Sequence, residues 1–319
     1  MMLAKNLLPK KASTIRMASH SLNIFSPAKI NLYLHITGRL DNGYHTLDSL
    51  AGFVDIGDHL TIVPSDNFNF KIDGPFAGSF HAKEMDSSPS SSNIAVKAAW
   101  DLSRAVQKVL NVDITLTKNL PLSSGIGGGS ANAAAVVWGL LDFWDIPPRS
   151  MIGGDTIEEL TLKLGADVPV CFQCEPARMR GIGEVLDPAP MMEEISIILI
   201  HPGKPCNTAQ IFSHYLGEFR DQISLPHDLR DFDDFILFLQ NQNNDLYAPA
   251  CAVVPGIKNV ISALNGYKGC AIARMSGSGS TCFGLFKDET DAQAAAQDIA
   301  EHNPDWWVQC GFLNRPKRY

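Results

Sequence analysis

A run of twelve residues, Pro121-Leu122-Ser123-Ser124-Gly125-Ile126-Gly127-Gly128-Gly129-Ser130-Ala131-Asn132, is the strongest chemical signal in the chain. Glycine fills four of the five positions from 125 to 129. Such a backbone can turn tightly and approach a ligand closely, because no Cβ stands in the way. An alternating apolar pattern precedes it (Val112, Ile114, Leu116), and a helical one follows it (Ala133, Val137, Leu140, Trp144). The run therefore links a strand to a helix. The first amides of a helix have no intrahelical acceptor, and its dipole favours negative charge there. This combination suits a di- or triphosphate. Two common phosphate loops do not fit. A Walker A loop needs Gly-Lys-Ser/Thr at its end, and no lysine follows these glycines. The dinucleotide fingerprint needs glycine where Ser130 stands, and Ile126 crowds its turn.

Other candidates lie elsewhere. Ala28, Ile30, Leu32, Leu34 and Ile36 alternate with Lys29, Asn31, Tyr33, His35 and Thr37. A period of two predicts a strand with one apolar face, and Lys29 and Asn31 together on the other. A lysine so placed can hold a neighbouring carboxylate ionised. Asp167 follows a predicted helix that Thr156-Ile157-Glu158-Glu159 opens as a capping box and Gly165 ends. After it, Val168–Phe172 reads as a buried strand, which leaves Asp167 in the short link between them. Tyr44 and His45 follow the turn signal Asp41-Asn42-Gly43. His35 and His201 sit in apolar strands and read as packed histidines. Of seven cysteines, only Cys171 and Cys174 form a close pair. A zinc ribbon needs a second pair, so all seven read as reduced thiols, mostly in the core.

Three blocks, in order, resemble the GHMP kinases, the family of galactokinase and of homoserine, mevalonate and phosphomevalonate kinases. They are Ser26-Pro27-Ala28-Lys29-Ile30-Asn31-Leu32, the glycine loop, and Met275-Ser276-Gly277-Ser278-Gly279-Ser280. Four further stretches narrow the match: Gly43-Tyr44-His45-Thr46-Leu47, Leu164-Gly165-Ala166-Asp167-Val168-Pro169, Gly181-Ile182-Gly183-Glu184 and Asn244-Asp245-Leu246. They are similar to the branch that phosphorylates the 2-hydroxyl of a cytidine-diphosphate-linked methylerythritol, in the non-mevalonate route to isoprenoids. The resemblance spans about residues 22–315.

The resemblance implies ATP as phosphoryl donor with Mg²⁺. It makes Asp167 the general base toward the substrate hydroxyl, with Lys29 holding Asp167 ionised; contact between the two is expected. It gives the nucleotide to Pro121, Leu122, Ser123, Ser124, Gly125, Ile126, Gly127, Gly128, Gly129, Ser130 and Ala131, with Ser130 toward a β-phosphate or Mg²⁺. Asn93 and Lys97 would flank the nucleoside. Asn31 would bind the substrate or Asp167. Tyr44 would stack on the cytosine, His45 would hydrogen-bond its edge, and Phe212 would supply the second ring. Ser276, Gly277 and Ser278 would line the cleft near the substrate's phosphates or support the glycine loop. There are departures. Ala131 stands where the family often has a second serine, and Leu122, Ser123 and Ser124 stand where it often has methionine and then small residues, glycine among them. Neither change removes a catalytic group.

These residues need elements to position them. The implied fold is α/β (α+β) with two domains, ribosomal-S5-like then ferredoxin-like, and the site is in the cleft between them. We expect residues 21–180 to form the N-terminal ATP-binding domain and 181–319 the C-terminal one. Residues 1–20 hold Lys5, Lys10, Lys11 and Arg16 and no acid, and read as a disordered extension or an organellar address. Asn93 is expected to cap a helix running to about Leu110. Strands are expected at Ile195–Ile200, Cys270–Met275 and Cys282–Phe286, and helices around Asp233–Leu239, Gly256–Leu264 and Ala292–Ala300.

Composition limits the rest. With 45% hydrophobic and 19% charged residues the chain is an ordinary globular one, and its 319 residues allow two domains. A net charge of −8 argues against a nucleic-acid binder, though not against phosphate held by local donors. No apolar stretch approaches the roughly 20 residues of a membrane span. A cytoplasmic monomer or homodimer, acting on small molecules, fits these limits. The rivals are a kinase of another small alcohol such as homoserine or mevalonate, a non-catalytic nucleotide-binding module, and an NAD-dependent dehydrogenase.

Overall fold

The computed structural model describes residues 21–148, 156–189 and 194–315; the basic stretch 1–20 lies outside them. The first part of the chain forms β1 (Leu22–Arg39), β2 (His45–Pro64), β3 (Asn69–Asp73), α1 (Ile94–Val106), β4 (Val112–Thr117), α2 (Gly128–Phe143), α3 (Ile157–Leu164), α4 (Val168–Gln173), β5 (Ala177–Gly181) and β6 (Val185–Pro188). The second part forms β7 (Ile195–His201), α5 (Thr208–Ser213), α6 (Phe232–Gln240), α7 (Tyr247–Val253), α8 (Gly256–Asn265), β8 (Cys270–Met275), β9 (Cys282–Phe286), α9 (Glu289–His302) and β10 (Trp307–Leu313). The architecture is mixed α/β, as expected.

β2 organises the first sheet because its length lets separate stretches take separate partners. β1 runs antiparallel along it from Leu22↔Ile62 to Arg39↔His45. β4 pairs with its second half and β5 with its first. β3 lies parallel to β4. The hairpin β5–β6 crosses residue 180 and belongs to this sheet. The second sheet is antiparallel, in the order β10-β7-β9-β8. The two sheets meet where Leu313 of β10 pairs with Val54 of β2.

Three apolar cores follow from this arrangement. One lies between the first sheet and α1 to α4. Another lies between the second sheet and α7 to α9. The middle one joins the halves: Ile30 and Leu32 of β1, Leu120 and Ile126 of the glycine loop, Ile195, Ile197 and Leu199 of β7, and Phe232 and Phe235 of α6. β7 is apolar from Ile197 to Ile200 because its two faces serve two cores.

Three expectations are corrected. In β1 the polar positions are as buried as the apolar ones, Lys29 and Asn31 being each only 3% exposed. Its alternation also breaks, since pairing steps from Asn31↔Ala51 to Tyr33↔Leu50 and leaves Leu32 as a bulge. α1 stops at Val106 rather than near Leu110, because Gln107 turns left-handed (φ 54°) and its N–H closes the helix on Ser103 and Arg104 carbonyls. Val168–Phe172 is helical, the body of α4. A short apolar run buried on all sides carries no periodicity that tells helix from strand. Pro169, at the start of α4, suits a first helical turn.

Candidate active site

The glycine loop leaves β4 and enters α2 with Gly127 as N-cap, in the left-handed region at φ 65°. Glycine is needed here twice over. A Cβ at Gly127 would lie 3.1 Å from Lys29 Cβ and 3.2 Å from its Cε, so the missing side chain is what lets the lysine stem pass. The Lys29 amide donates to Ile126 O at 3.0 Å. The loop is also tied to the second half of the chain. Cys206 N donates to Ser123 O, Thr281 N to Ser124 O, and Ser276 Oγ to Gly125 O, all within 3.0 Å.

Lys29 and Asp167 meet. Lys29 Nζ donates to Asp167 Oδ2 at 2.9 Å and to Asn31 Oδ1 at 3.0 Å. The lysine is buried, while the Asp167 side chain keeps 39% of its exposure and faces the cleft. Asp167 is the N-cap of α4, yet its carboxylate caps nothing and is left for Lys29. Asn31 is itself held, since its Nδ2 donates to Ser49 Oγ at 2.8 Å and its backbone amide to Ser276 Oγ at 3.0 Å. A carboxylate that touches a cation and still opens on a cleft can accept a proton from a bound hydroxyl.

The cleft encloses about 950 Å³ and runs from this pair to the tip of the β1–β2 hairpin. At the tip Tyr44 is 60% exposed. The rings of His45 and Phe212 lie 5.6 Å apart, inclined at 32°, and Tyr215 meets His45 edge-on. Burial, and then the Arg39 guanidinium, push the His45 imidazole below its usual range. The ring is therefore neutral at pH 7 and offers one donor and one acceptor. Tyr44, His45 and Phe212 all line the cleft.

A model of the GHMP kinases N terminal domain matches residues 93–174, and one of the GHMP kinases C terminal matches residues 224–305. The 4-diphosphocytidyl-2-C-methyl-D-erythritol kinase of Paracoccus denitrificans is 44% identical over 291 residues, covering 90% of this chain and 95% of its own. That of Paramagnetospirillum magneticum is 40% identical over 288 residues, covering 90% and 97%. The chain belongs to the 4-diphosphocytidyl-2-C-methyl-D-erythritol kinase family. A crystal structure of a 4-(cytidine 5'-diphospho)-2C-methyl-D-erythritol kinase superposes with a TM-score of 0.72 at 27% identity, over 92% of this chain and 99% of that one. A homoserine kinase from Cytophaga hutchinsonii shares the fold, with a TM-score of 0.64 at 17% identity, over 96% and 97% of the two chains.

Within this kinase family the expected residues do not all reach the cleft. Pro121 to Gly125, Gly127 to Ser130, Asn93, Asn31 and Gly277 line it. Lys97 does not: it is exposed on the outer side of α1. Ile126 and Ala131 are buried behind the loop, and Ser276 is fully buried, so their side chains support rather than line. Asn93 spends its Oδ1 on Ala95 N, capping α1, and its Nδ2 on Glu84 O. His35 and His201 are buried, as expected of packed histidines. Cys206, Cys251, Cys270, Cys282 and Cys310 are free thiols.

Sequence reasoning missed two pairings. Lys118 lines the cleft beneath Gly128 and forms a 2.5 Å ion pair with Asp58, which is fully buried and also accepts from the amides of Asn119 and Leu120. Burial pushes the Lys118 ammonium down, against the pull of Asp58. Its place two residues before Leu120-Pro121 was a usable signal; Asp58, in a strand, gave none. Asn244 donates from Nδ2 to Met275 O and Gly277 O, both at 2.8 Å, and so shapes the third block. Asn244 stood in a recognised stretch, but nothing local showed its partners.

Proposed function

We propose that the chain is an ATP-dependent kinase that phosphorylates the 2-hydroxyl of 4-diphosphocytidyl-2-C-methyl-D-erythritol. The observation that carries the chemistry is the Lys29–Asp167 pair at 2.9 Å, opening on a cleft that ends at Tyr44, His45 and Phe212. Cytosine fits that end. An aromatic face stacks on any base, while a neutral imidazole with a donor and an acceptor chooses by edge.

Transfer of this kind is mostly positioning and charge neutralisation. The amides of the glycine loop and the first turn of α2 hold the nucleotide phosphates. Asp167 takes the proton as the substrate oxygen bonds to the γ-phosphorus. The bond from that phosphorus to the β–γ bridging oxygen breaks, and ADP leaves. Lys29, fixed by Asn31 and by its own amide, holds Asp167 through their 2.9 Å contact and keeps its oxygen aimed.

Among the described residues no group of three His, Cys, Asp or Glu side chains could hold a metal alone. The donors that line the cleft, Ser130 Oγ and Asp167, are hard oxygens that suit Mg²⁺ carried in on phosphate, where the ion would neutralise phosphate charge. The free thiols of Cys206, Cys251, Cys270, Cys282 and Cys310 suit a reducing cytoplasm. No helix among the described residues is long and apolar enough to cross a membrane.

The test is ADP release from the protein with ATP, Mg²⁺ and the cytidyl substrate, run beside homoserine and mevalonate. Turnover confined to the cytidyl substrate is expected. Turnover only with one of the other alcohols would overturn the reading.

A further inference from the structure

β1 pairs with β2 along one edge, and its other edge is covered by the glycine loop and the second half of the chain. On that edge Lys29 N donates to Ile126 O and Asn31 N to Ser276 Oγ. Further along, Leu34 N donates to Asn243 O, and Leu34 O accepts from Asp245 N. Ile36 N donates to Asp245 Oδ2, and Ile36 O accepts from Arg220 N. The outward-facing residues are thus odd-numbered up to 31 and even-numbered from 34. In a regular strand that parity is fixed. It changes here because Leu32 is bulged out of register.

The bulge has its own partner. Arg274 Nη1 donates to Leu32 O at 2.6 Å, while its Nη2 donates to Leu239 O and Gln242 O, at 2.7 and 2.8 Å. Those two carbonyls lie at the C-terminal end of α6, where a cation is favoured. Burial pushes the guanidinium down to about 10, so it still carries its charge at pH 7. Arg274 stands two residues before Ser276, so adjoining backbone groups at the bulge, Asn31 N and Leu32 O, are gripped from one short stretch of chain.

The geometry points to Arg274 as a positioning residue for the proposed phosphoryl transfer. By fixing the bulge at Leu32 it sets the change of parity that turns Lys29 and Asn31 toward Asp167 while Leu34 and Ile36 still bond to the second half. Arg274 is not among the residues that line the cleft. This role rests on the kinase reading above for its catalytic meaning, and on hydrogen bonding alone for its structural one.

Two variants and two readouts test it in the full chain. Arg274→Met keeps the apolar stem and loses every donor, whereas Arg274→Lys keeps one donor that can reach Leu32 O. Arg274→Met is expected to lower kcat at least about tenfold, because small misplacements of reacting groups are costly. KM for ATP should change less than about twofold, since no nucleotide contact is removed. Arg274→Lys should recover part of kcat. Hydrogen exchange at the Lys29 and Asn31 amides should quicken by about tenfold in Arg274→Met and less in Arg274→Lys, with β9 amides unchanged. Ile299→Ala, in the core under α9, is the control for lost stability alone. Wild-type kcat in Arg274→Met, measured well below its melting temperature, would overturn the proposal. If that variant does not fold, unaltered kcat and exchange in Arg274→Lys would overturn it equally. Faster exchange at Lys29 and Asn31 in a protein whose wild type turns over none of the alcohols would sink the kinase reading and leave the positioning role standing.

Discussion

Lys29 Nζ and Asp167 Oδ2 lie 2.9 Å apart although 138 positions separate them in the chain. The two arrive from opposite directions: Lys29 on β1, Asp167 at the start of α4, with Gly127 leaving the gap through which the lysine reaches. One substitution tests the pair directly. Asp167→Asn keeps the shape and removes the proton acceptor, so kcat should fall by about 10²–10⁴. Nucleotide affinity, titrated separately, should stay within a few-fold of wild type. Near-normal turnover would exclude Asp167 as the base.

Tyr44 offers a different contrast. Its ring is exposed at the cleft's end and is not part of a packed core. Tyr44→Ala should therefore leave the melting temperature almost unchanged. It should raise KM for the cytidyl substrate by the loss of one stacking face, about 1–3 kcal/mol. A steady-state comparison of kcat and KM checks this, and a fall in kcat alone would contradict a binding role.

Gly125 and Gly129 sit four residues apart, one in the loop and one in the first turn of α2, and should respond oppositely to alanine. Gly125 has φ 76°, and a Cβ there would lie 2.5 Å from Ser276 O and 2.7 Å from Gly279 N and O. These are backbone atoms and cannot swing aside. Gly125→Ala should cost about 1–3 kcal/mol of stability or more, and weaken nucleotide binding. At Gly129 the nearest atom would be Ile94 Cγ2 at 3.8 Å, so Gly129→Ala should fold normally. Denaturant titrations of both variants, with and without nucleotide, give the comparison.

His201 predicts a pH dependence of stability. Its Nδ1 accepts from Gly203 N, its Nε2 has no partner, and burial pushes its pKa down to about 4. The unfolded chain, with an ordinary imidazole near 6.5, binds the proton first. Stability is therefore full above about 6.5, falls as pH drops toward 4, and is lost on the order of 3 kcal/mol across that window. His201→Asn, which can keep the acceptor for Gly203, should flatten that acid limb in denaturation curves from pH 4 to 7. His35 is shifted the same way by burial and will leave a smaller slope behind.

Legibility in the sequence followed the range of the interactions. The capping box at Thr156 and the cap at Asn93 rest on neighbours within three residues, and both are present. β8 and β9 keep the bounds their patterns set. Lys29 and Asp167 could be paired because each stands in a recognisable motif. What was not legible depends on contacts made far away. The bulge at Leu32 answers to Arg274, which no local pattern reveals. α4 looks like a strand because burial on every side removes periodicity. β10 mixes glycine, cysteine and glutamine with apolar residues, and gains its strand character by pairing with β7. Asp58 and Asn244 are polar residues whose partners appear only when the fold is complete.

The ties on the glycine loop have a thermodynamic consequence. Ser123, Ser124 and Gly125 each give a carbonyl to the second half of the chain, so the loop loses its freedom when the protein folds and not when ATP arrives. That ordering is a cost already met before the first encounter with nucleotide. Calorimetry should then register a binding entropy close to that of a rigid pocket. Substitutions that cut those ties would move the cost onto the binding step, so the same change that makes the loop supple would make ATP bind with a larger entropic penalty.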